Sequence, residues 1–166
     1  MPPAAPLAEA LPSVGERRQA PGEAERFGIL LHALLERRTE GEENPGWWRS
    51  LGFDEAEYRR ARPVAERLLK APALRCYFDP ALYRRAWNEV DVTGGDGVLR
   101  RIDRLVEIGD QLWVLDYKSS GRETGRFGDY ETQVRSYCQA VSRAFGGRPV
   151  RGALLFADGE CVEVCC

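Results

Sequence analysis

Apolar residues recur along the chain in two rhythms, and the rhythm changes near Trp87. Phe27, Leu31, Leu34 and Leu35 fall at i, i+4, i+7 and i+8, one stripe of an amphipathic helix over residues 25–38. A loop with Gly41, Asn44, Pro45 and Gly46 follows, then Trp47 and Trp48. Residues 54–70 predict a second helix, with Asp54 as N-cap and Pro63 as a break. Residues 71–85, punctuated by Pro72 and Pro80, predict a short helix and loops. Period two then takes over. Residues 87–92, 98–108 and 111–117 predict three strands, joined by a turn over 93–97 and a tight turn at Gly109-Asp110. After a loop over 121–129, residues 130–145 predict a helix with Val134, Cys138 and Val141 on one face, ended by Gly146-Gly147. Strands over 150–156 and 160–165, joined at Asp158-Gly159, complete an α, α, β, β, β, α, β, β order without internal repeats.

The tight turn has a consequence for charge. A two-residue loop at Gly109-Asp110 sets Ile108 opposite Gln111. Counting along that ladder sets Asp103 opposite Asp116, on one face of the sheet, with Cβ atoms about 5 Å apart. Two carboxylates at that distance repel and raise each other's pKa, so a compensating cation is the simplest reason to keep them. Lys118, two residues past Asp116, shares its face. A surface ion pair at a strand end is the bland alternative. Against it, Lys70 and Lys118 are the only lysines among 24 basic residues, the rest being Arg, and Lys differs from Arg as a compact point charge. Glu89 lies on the preceding strand; pairing position 92 with 98 sets it beside Arg101 on the Asp103 face.

Composition bounds the function. The chain has 166 residues, 43% hydrophobic and 30% charged, about one globular domain. Residues 1–24, with Pro2, Pro3, Pro6, Pro12 and Pro21, predict a flexible leader or inter-domain linker. No run of about 18 apolar residues predicts a membrane-spanning helix, and no secretory signal is evident. The cytoplasm is the expected compartment. Five Cys, an odd number, argue against a disulfide framework and for reduced thiols. No Gly-x-x-x-x-Gly-Lys-Ser/Thr stretch occurs, so the chain is not by itself a P-loop ATPase. A net charge of −2 confines any nucleic-acid contact to a local patch.

These residues resemble the PD-(D/E)XK nucleases. Ile102-Asp103 stands for the first motif, without its usual Pro, and Asp116-Tyr117-Lys118 for the second. More narrowly, the chain is similar to the nuclease domains of RecB and AddA, which are fused behind UvrD-like helicases in recombination and repair. That subgroup's Gly-x-x-x-His helix is matched by Gly28 and His32, its Glu before the hairpin by Glu89, and its Gln-x-x-x-Tyr helix by Gln133 and Tyr137. The resemblance covers residues 25–157; the helicase half is absent from the chain.

The resemblance implies a restriction-endonuclease-like α/β fold, a mixed β-sheet with a central hairpin flanked by helices, over residues 25–166. It implies a metal-dependent DNA nuclease, an exonuclease acting on single strands or ends, with a helicase domain or subunit as partner. His32, Asp103, Asp116 and the Tyr117 backbone carbonyl would hold Mg2+, with Mn2+ acceptable to the His ligand. Lys118 would hold the attacking hydroxide or neutralise phosphoryl charge. Glu89, Gln133 and Tyr137 would support the site, the last two by orienting Lys118 or touching the DNA backbone. Arg84, Arg85, Arg100, Arg101 and Arg104 flank it and could contact phosphates. Trp47 and Trp48 could stack on bases, or belong to the core. Cys161, Cys165 and Cys166 invite an iron–sulfur reading, but Cys165-Cys166 in a strand supplies poor cluster geometry, and none is expected. The rival from another class is a catalytically inactive module that binds DNA ends or docks on a helicase partner.

Overall fold

The computed structural model describes residues 20–42 and 44–166. Helices α1 (Glu23–Glu40), α2 (Glu55–Lys70) and the single-turn α3 (Arg75–Phe78) precede strands β1 (Arg85–Thr93), β2 (Leu99–Ile108) and β3 (Gln111–Lys118). Helix α4 (Phe127–Ala144) then leads to β4 (Val150–Phe156) and β5 (Cys161–Val164). The leader expected over residues 1–24 lies mostly outside the described residues, and α1 already begins at Glu23.

The five strands form one sheet in the order β1-β2-β3-β4-β5. Every neighbouring pair is antiparallel except β3 and β4, which run parallel because α4 carries the chain across the sheet between them. Alternation along β3 sends Leu112 and Val114 toward α4, with Leu154 and Phe156 of β4. It sends Leu115 and Tyr117 to the opposite face, where α1 and α2 pack through Leu30, Leu31, Leu34 and Leu68. The central strand is therefore covered on both sides, as a strand with a parallel neighbour needs.

Local chemistry sets the boundaries. Asp54 accepts from the Glu57 backbone and Glu57 from the Asp54 backbone, both at 2.8 Å, a capping box that starts α2. Pro63 does not break α2, contrary to the sequence expectation; it sits on the exposed side of a helix whose Ala61, Ala65 and Leu68 are anchored in the core. Trp47 and Trp48 lie in a short 3-10 turn and are buried, Trp48 stacked on Tyr58 with ring centroids 3.7 Å apart. They belong to the core, and a base cannot reach their faces.

Candidate active site

The geometry of the site starts at the turn. Gly109 takes φ 58, and the ladder runs from Ile108↔Gln111 to Arg104↔Leu115 in the register that turn predicts. There the backbone pairing stops. Asp103 Oδ2 instead accepts the Tyr117 backbone N–H at 2.7 Å, a charge-assisted bond that fixes the carboxylate between the strands. Asp116 follows on β3, 4% exposed. Burial pushes its carboxyl well above the usual range, the Asp103 charge adds to this, and Lys118 and His32 oppose it.

Lys118 presents its ammonium 2.5 Å from Asp116 Oδ2. It also donates to Gln133 Oε1 at 3.0 Å, and Gln133 Nε2 in turn donates to Tyr137 Oη at 2.7 Å. Gln133 and Tyr137 are one turn apart on α4, so the spacing legible in the sequence does place them on one face. The Tyr130 ring lies under the same ammonium, its centroid 4.3 Å from Nζ. No sequence motif pointed to Tyr130; the signal available was its position three residues before Gln133 on the same helix face.

His32 reaches the cluster from α1. Gly28, one turn earlier, allows this approach: a Cβ there would meet Ser119 Oγ, just past Lys118, at 3.0 Å. His32 Nε2 is 3.0 Å from the Tyr117 carbonyl, and Nδ1 is 3.4 Å from Asp103 Oδ1. A carbonyl only accepts and a carboxylate accepts, so this arrangement suits an imidazolium donating from both nitrogens. Burial is the largest influence on the ring and lowers its pKa; Asp103, Asp116 and the carbonyl together outweigh it and leave the pKa raised. Two of the expected metal donors, His32 and the Tyr117 carbonyl, thus face each other.

Glu89 departs from expectation. Position 92 pairs with 100, not 98, which puts Glu89 across from Asp103 between Asn88↔Arg104 and Val90↔Ile102. The ladder skips that one position, and Glu89 adopts the left-handed φ of 51, a strained choice for a residue with a side chain. Its carboxylate still reaches Arg101, 3.4 Å away on the diagonal. The five-residue turn lies one position later than expected, over 94–98 after the Thr93↔Leu99 pair, and within it the Gly94 N–H bonds the Val98 carbonyl at 3.0 Å. Glu36, a turn past His32, lies near Glu89, and partial burial with the charges of Glu89 and Glu40 raises its pKa.

The flanking arginines divide. Arg104 is 2% exposed and donates to the Tyr77 carbonyl, Asn88 and Tyr83, so it ties β2 to the preceding loop and is closed to phosphate. Arg101 is engaged by Asp91 and Glu89, and Arg84 faces Glu107. Arg100 is held by Asp96 but, with Lys118, Arg126, Tyr130, Gln133 and Tyr137, lines a groove of about 770 Å³ that opens beside the carboxylates. The cysteines also depart from expectation. Cys138 of α4 is disulfide-bonded to Cys166, their Cα atoms 5.9 Å apart. Cys76 and Cys161 pack on the α1 face of the sheet and Cys138 on the α4 face, so the sheet stands between them.

Among the described residues no three His, Cys, Asp or Glu side chains close around a point as a preformed metal cage. The donor set nonetheless fits a hard cation. Asp103 lies close enough for its charge to raise the Asp116 carboxyl, and among the described residues the close cationic partner of the buried Asp116 Oδ2 is the Lys118 ammonium.

Comparisons with known proteins bear on this geometry. The family model described as PD-(D/E)XK nuclease superfamily matches residues 9–163. No curated protein matches the chain. Among solved structures, a "Putative exonuclease" from Eubacterium rectale is similar over 84% of this chain, at a TM-score of 0.56 and 15% identity. The chain covers 59% of that protein, and the likeness is one of fold. Protein VC1899 from Vibrio cholerae aligns over 80% of this chain and 41% of its own, at 13% identity and a TM-score of 0.37, too low to carry an argument. The mixed sheet with its central hairpin and flanking helices has the restriction-endonuclease-like arrangement.

Proposed function

Because the chain belongs to the PD-(D/E)XK nuclease superfamily, we propose that it is a metal-dependent deoxyribonuclease, an exonuclease on single strands or ends. The observation that supports this most is the juxtaposition of Asp103, Asp116 and Lys118, the last of which lines an open groove together with Arg100 and Arg126. Residues 25–166 form the nuclease domain in this reading. It works in the cytoplasm, beside or fused to a helicase, in recombination and repair, as the RecB and AddA resemblance implies. Among the described residues no helix is long and apolar enough to cross a membrane.

Asp103 and Asp116 would hold Mg2+ or Mn2+, joined by the Tyr117 carbonyl and by His32 once its ring turns and gives up a proton. A divalent cation held there would supply Lewis acidity, lowering the pKa of a bound water and polarising a phosphoryl oxygen. Lys118 lies between Asp116 and the groove, where its ammonium stabilises negative charge on the phosphoryl oxygens. That charge builds as the water oxygen bonds to phosphorus, the bond to the leaving sugar oxygen breaks and that oxygen takes a proton. Gln133 steadies the ammonium, and Tyr137 orients Gln133 by accepting from its Nε2, which turns Oε1 toward Lys118. Glu89 adds negative charge beside Asp103. Arg100 and Arg126 meet the strand's phosphates in the groove.

The test is cleavage of end-labelled single- and double-stranded oligonucleotides with Mg2+ or with EDTA. Mononucleotides or short products released from ends in Mg2+ alone are expected. Binding of DNA ends without cleavage in Mg2+ or Mn2+ would instead establish the inactive docking module.

A further inference from the structure

Lys118 is gripped from three sides. Asp116 Oδ2 lies 2.5 Å from its Nζ, Gln133 Oε1 accepts from it at 3.0 Å, and the Tyr130 ring centroid lies 4.3 Å away. The three grips are not equivalent. The Asp116 contact is the shortest and the only ionic one, yet it uses the oxygen that otherwise has no hydrogen-bond partner. A divalent cation held by Asp116 would compete with the ammonium for the carboxylate's charge. Once the carboxylate is shared, Lys118 is left with one neutral amide and one aromatic face.

We propose that Tyr130 is a positioning residue for Lys118: its ring face is the seat that keeps the ammonium aimed into the groove while Asp116 is engaged by a divalent cation. This rests on the reading of Lys118 as the charge-stabilising group. The ring suits the task. Tyr130 is half-buried on the first turn of α4 and three residues before Gln133, so ring and amide project from one helix face. A ring turns about two side-chain bonds only, whereas the Gln133 amide turns about three, so the ring holds its place at smaller entropic cost. An aromatic face attracts a compact ammonium without competing for the metal, because it offers no lone pair of its own to a hard cation. Arg126 lies over the same ring at the longer distance of 5.7 Å and is exposed, so Lys118 is the closer and more desolvated partner.

The scarcity of lysine makes the contact directly observable. Only Lys70 and Lys118 occur in the chain, and Lys70 is exposed at the end of α2. Protein grown on carbon-13 lysine therefore gives two sets of side-chain NMR signals, which Lys118→Ala assigns. The ε-methylene protons of Lys118 are expected upfield of those of Lys70 through the ring current. Tyr130→Phe keeps that shift and Tyr130→Leu abolishes it. The shift persists when Mg2+ is added to saturation. In cleavage of a single-stranded oligonucleotide with Mg2+, Tyr130→Leu is expected to lower kcat roughly tenfold with KM unchanged, and Tyr130→Phe to restore it.

The proposal is overturned if Lys118 resonates with Lys70 in the parent, a result that does not depend on any variant folding. It is also overturned if the shift vanishes on adding Mg2+, or if Tyr130→Leu changes KM alone, which would make Tyr130 a substrate contact. A Tyr130→Leu variant as active as the parent, alongside an inactive Lys118→Ala, removes the role of Tyr130 and leaves the nuclease reading standing. An active Lys118→Ala removes both.

Discussion

The β2–β3 hairpin carries buried carboxylates at both ends, and they are treated in opposite ways. Near the turn, Glu107 is 7% exposed and faces Arg148 at 2.9 Å and Arg84 at 3.7 Å. One acid meets two bases drawn from the loops on either side. At the open end, Asp116 is equally buried, but its neighbours are a second acid, a His and the ammonium of Lys118. Glu107 is neutralised by arginines that do nothing else nearby, which is how a fold keeps a carboxylate for structure. Asp116 is left with a raised pKa, facing a second acid and sharing one ammonium, a cost to folding that a bound cation would offset further. The same strand pair therefore holds one charge arranged for stability and one arranged for chemistry.

The comparison breaks most visibly in activity. Asp116→Asn and Lys118→Ala are expected to lower DNA cleavage roughly a hundred- to a thousandfold, while Glu107→Ala leaves it near the parent's. Single-turnover cleavage in Mg2+ reads this directly. Full activity in Asp116→Asn would place the acid pair among structural charges.

The next effect is on stability and has the opposite pattern. Glu107→Ala strands two arginines that are partly exposed, so its cost is about 1–2 kcal/mol, below that of a fully buried pair. Asp116→Asn in EDTA should melt no lower than the parent, and higher if relief of the Asp103 repulsion dominates. Thermal melts of both variants side by side decide it: a clear loss for Asp116→Asn alone would invert the assignment of the two ends.

A smaller effect sharpens the contrast through pH. Glu57 is hydrogen-bonded by Arg26 at 2.6 Å and by the Asp54 backbone, and these lower its pKa from 4.5 to about 2. A depressed carboxylate contributes stability that is present above pH 4.5 and lost as pH falls toward 2. The raised Asp116 carboxyl has the reverse sign. Glu57→Gln should flatten the acid limb of the stability curve between those two values, with little change at neutral pH beyond the lost ion pair. Denaturant melts across that range, parent against variant, show whether the limb moves.

How much of the fold and the site is legible in the sequence depends on how far each feature reaches along the chain. The α1 stripe, the tight turn at Gly109 and the alternation of β2 and β3 are local, and they suffice to bring Asp103, Asp116 and Lys118 together. The β1–β2 register is not local enough. A longer turn rich in glycine admits several closures, and the chain takes one two residues away from the expected pairing, which moves Glu89 from beside Arg101 to across from Asp103. Charge patterning misleads for Arg104, because a basic residue between strands on the surface reads the same as one whose donors are consumed by Tyr77, Asn88 and Tyr83.

By itself the sequence determined the order of elements, the hairpin register and the concentration of acids beside one of only two lysines, since turn geometry and side-chain alternation act between near neighbours. Tertiary structure alone decided which groups complete the cluster. The His32–Tyr117 contact joins positions 85 residues apart, the Cys138–Cys166 pair joins a helix to the last residue, and Tyr130 reaches Lys118 across the β3–α4 loop. Such contacts depend on how α1 and α4 pack on opposite faces of the sheet. That packing is set by the summed burial of the two cores, a property no short stretch of residues encodes.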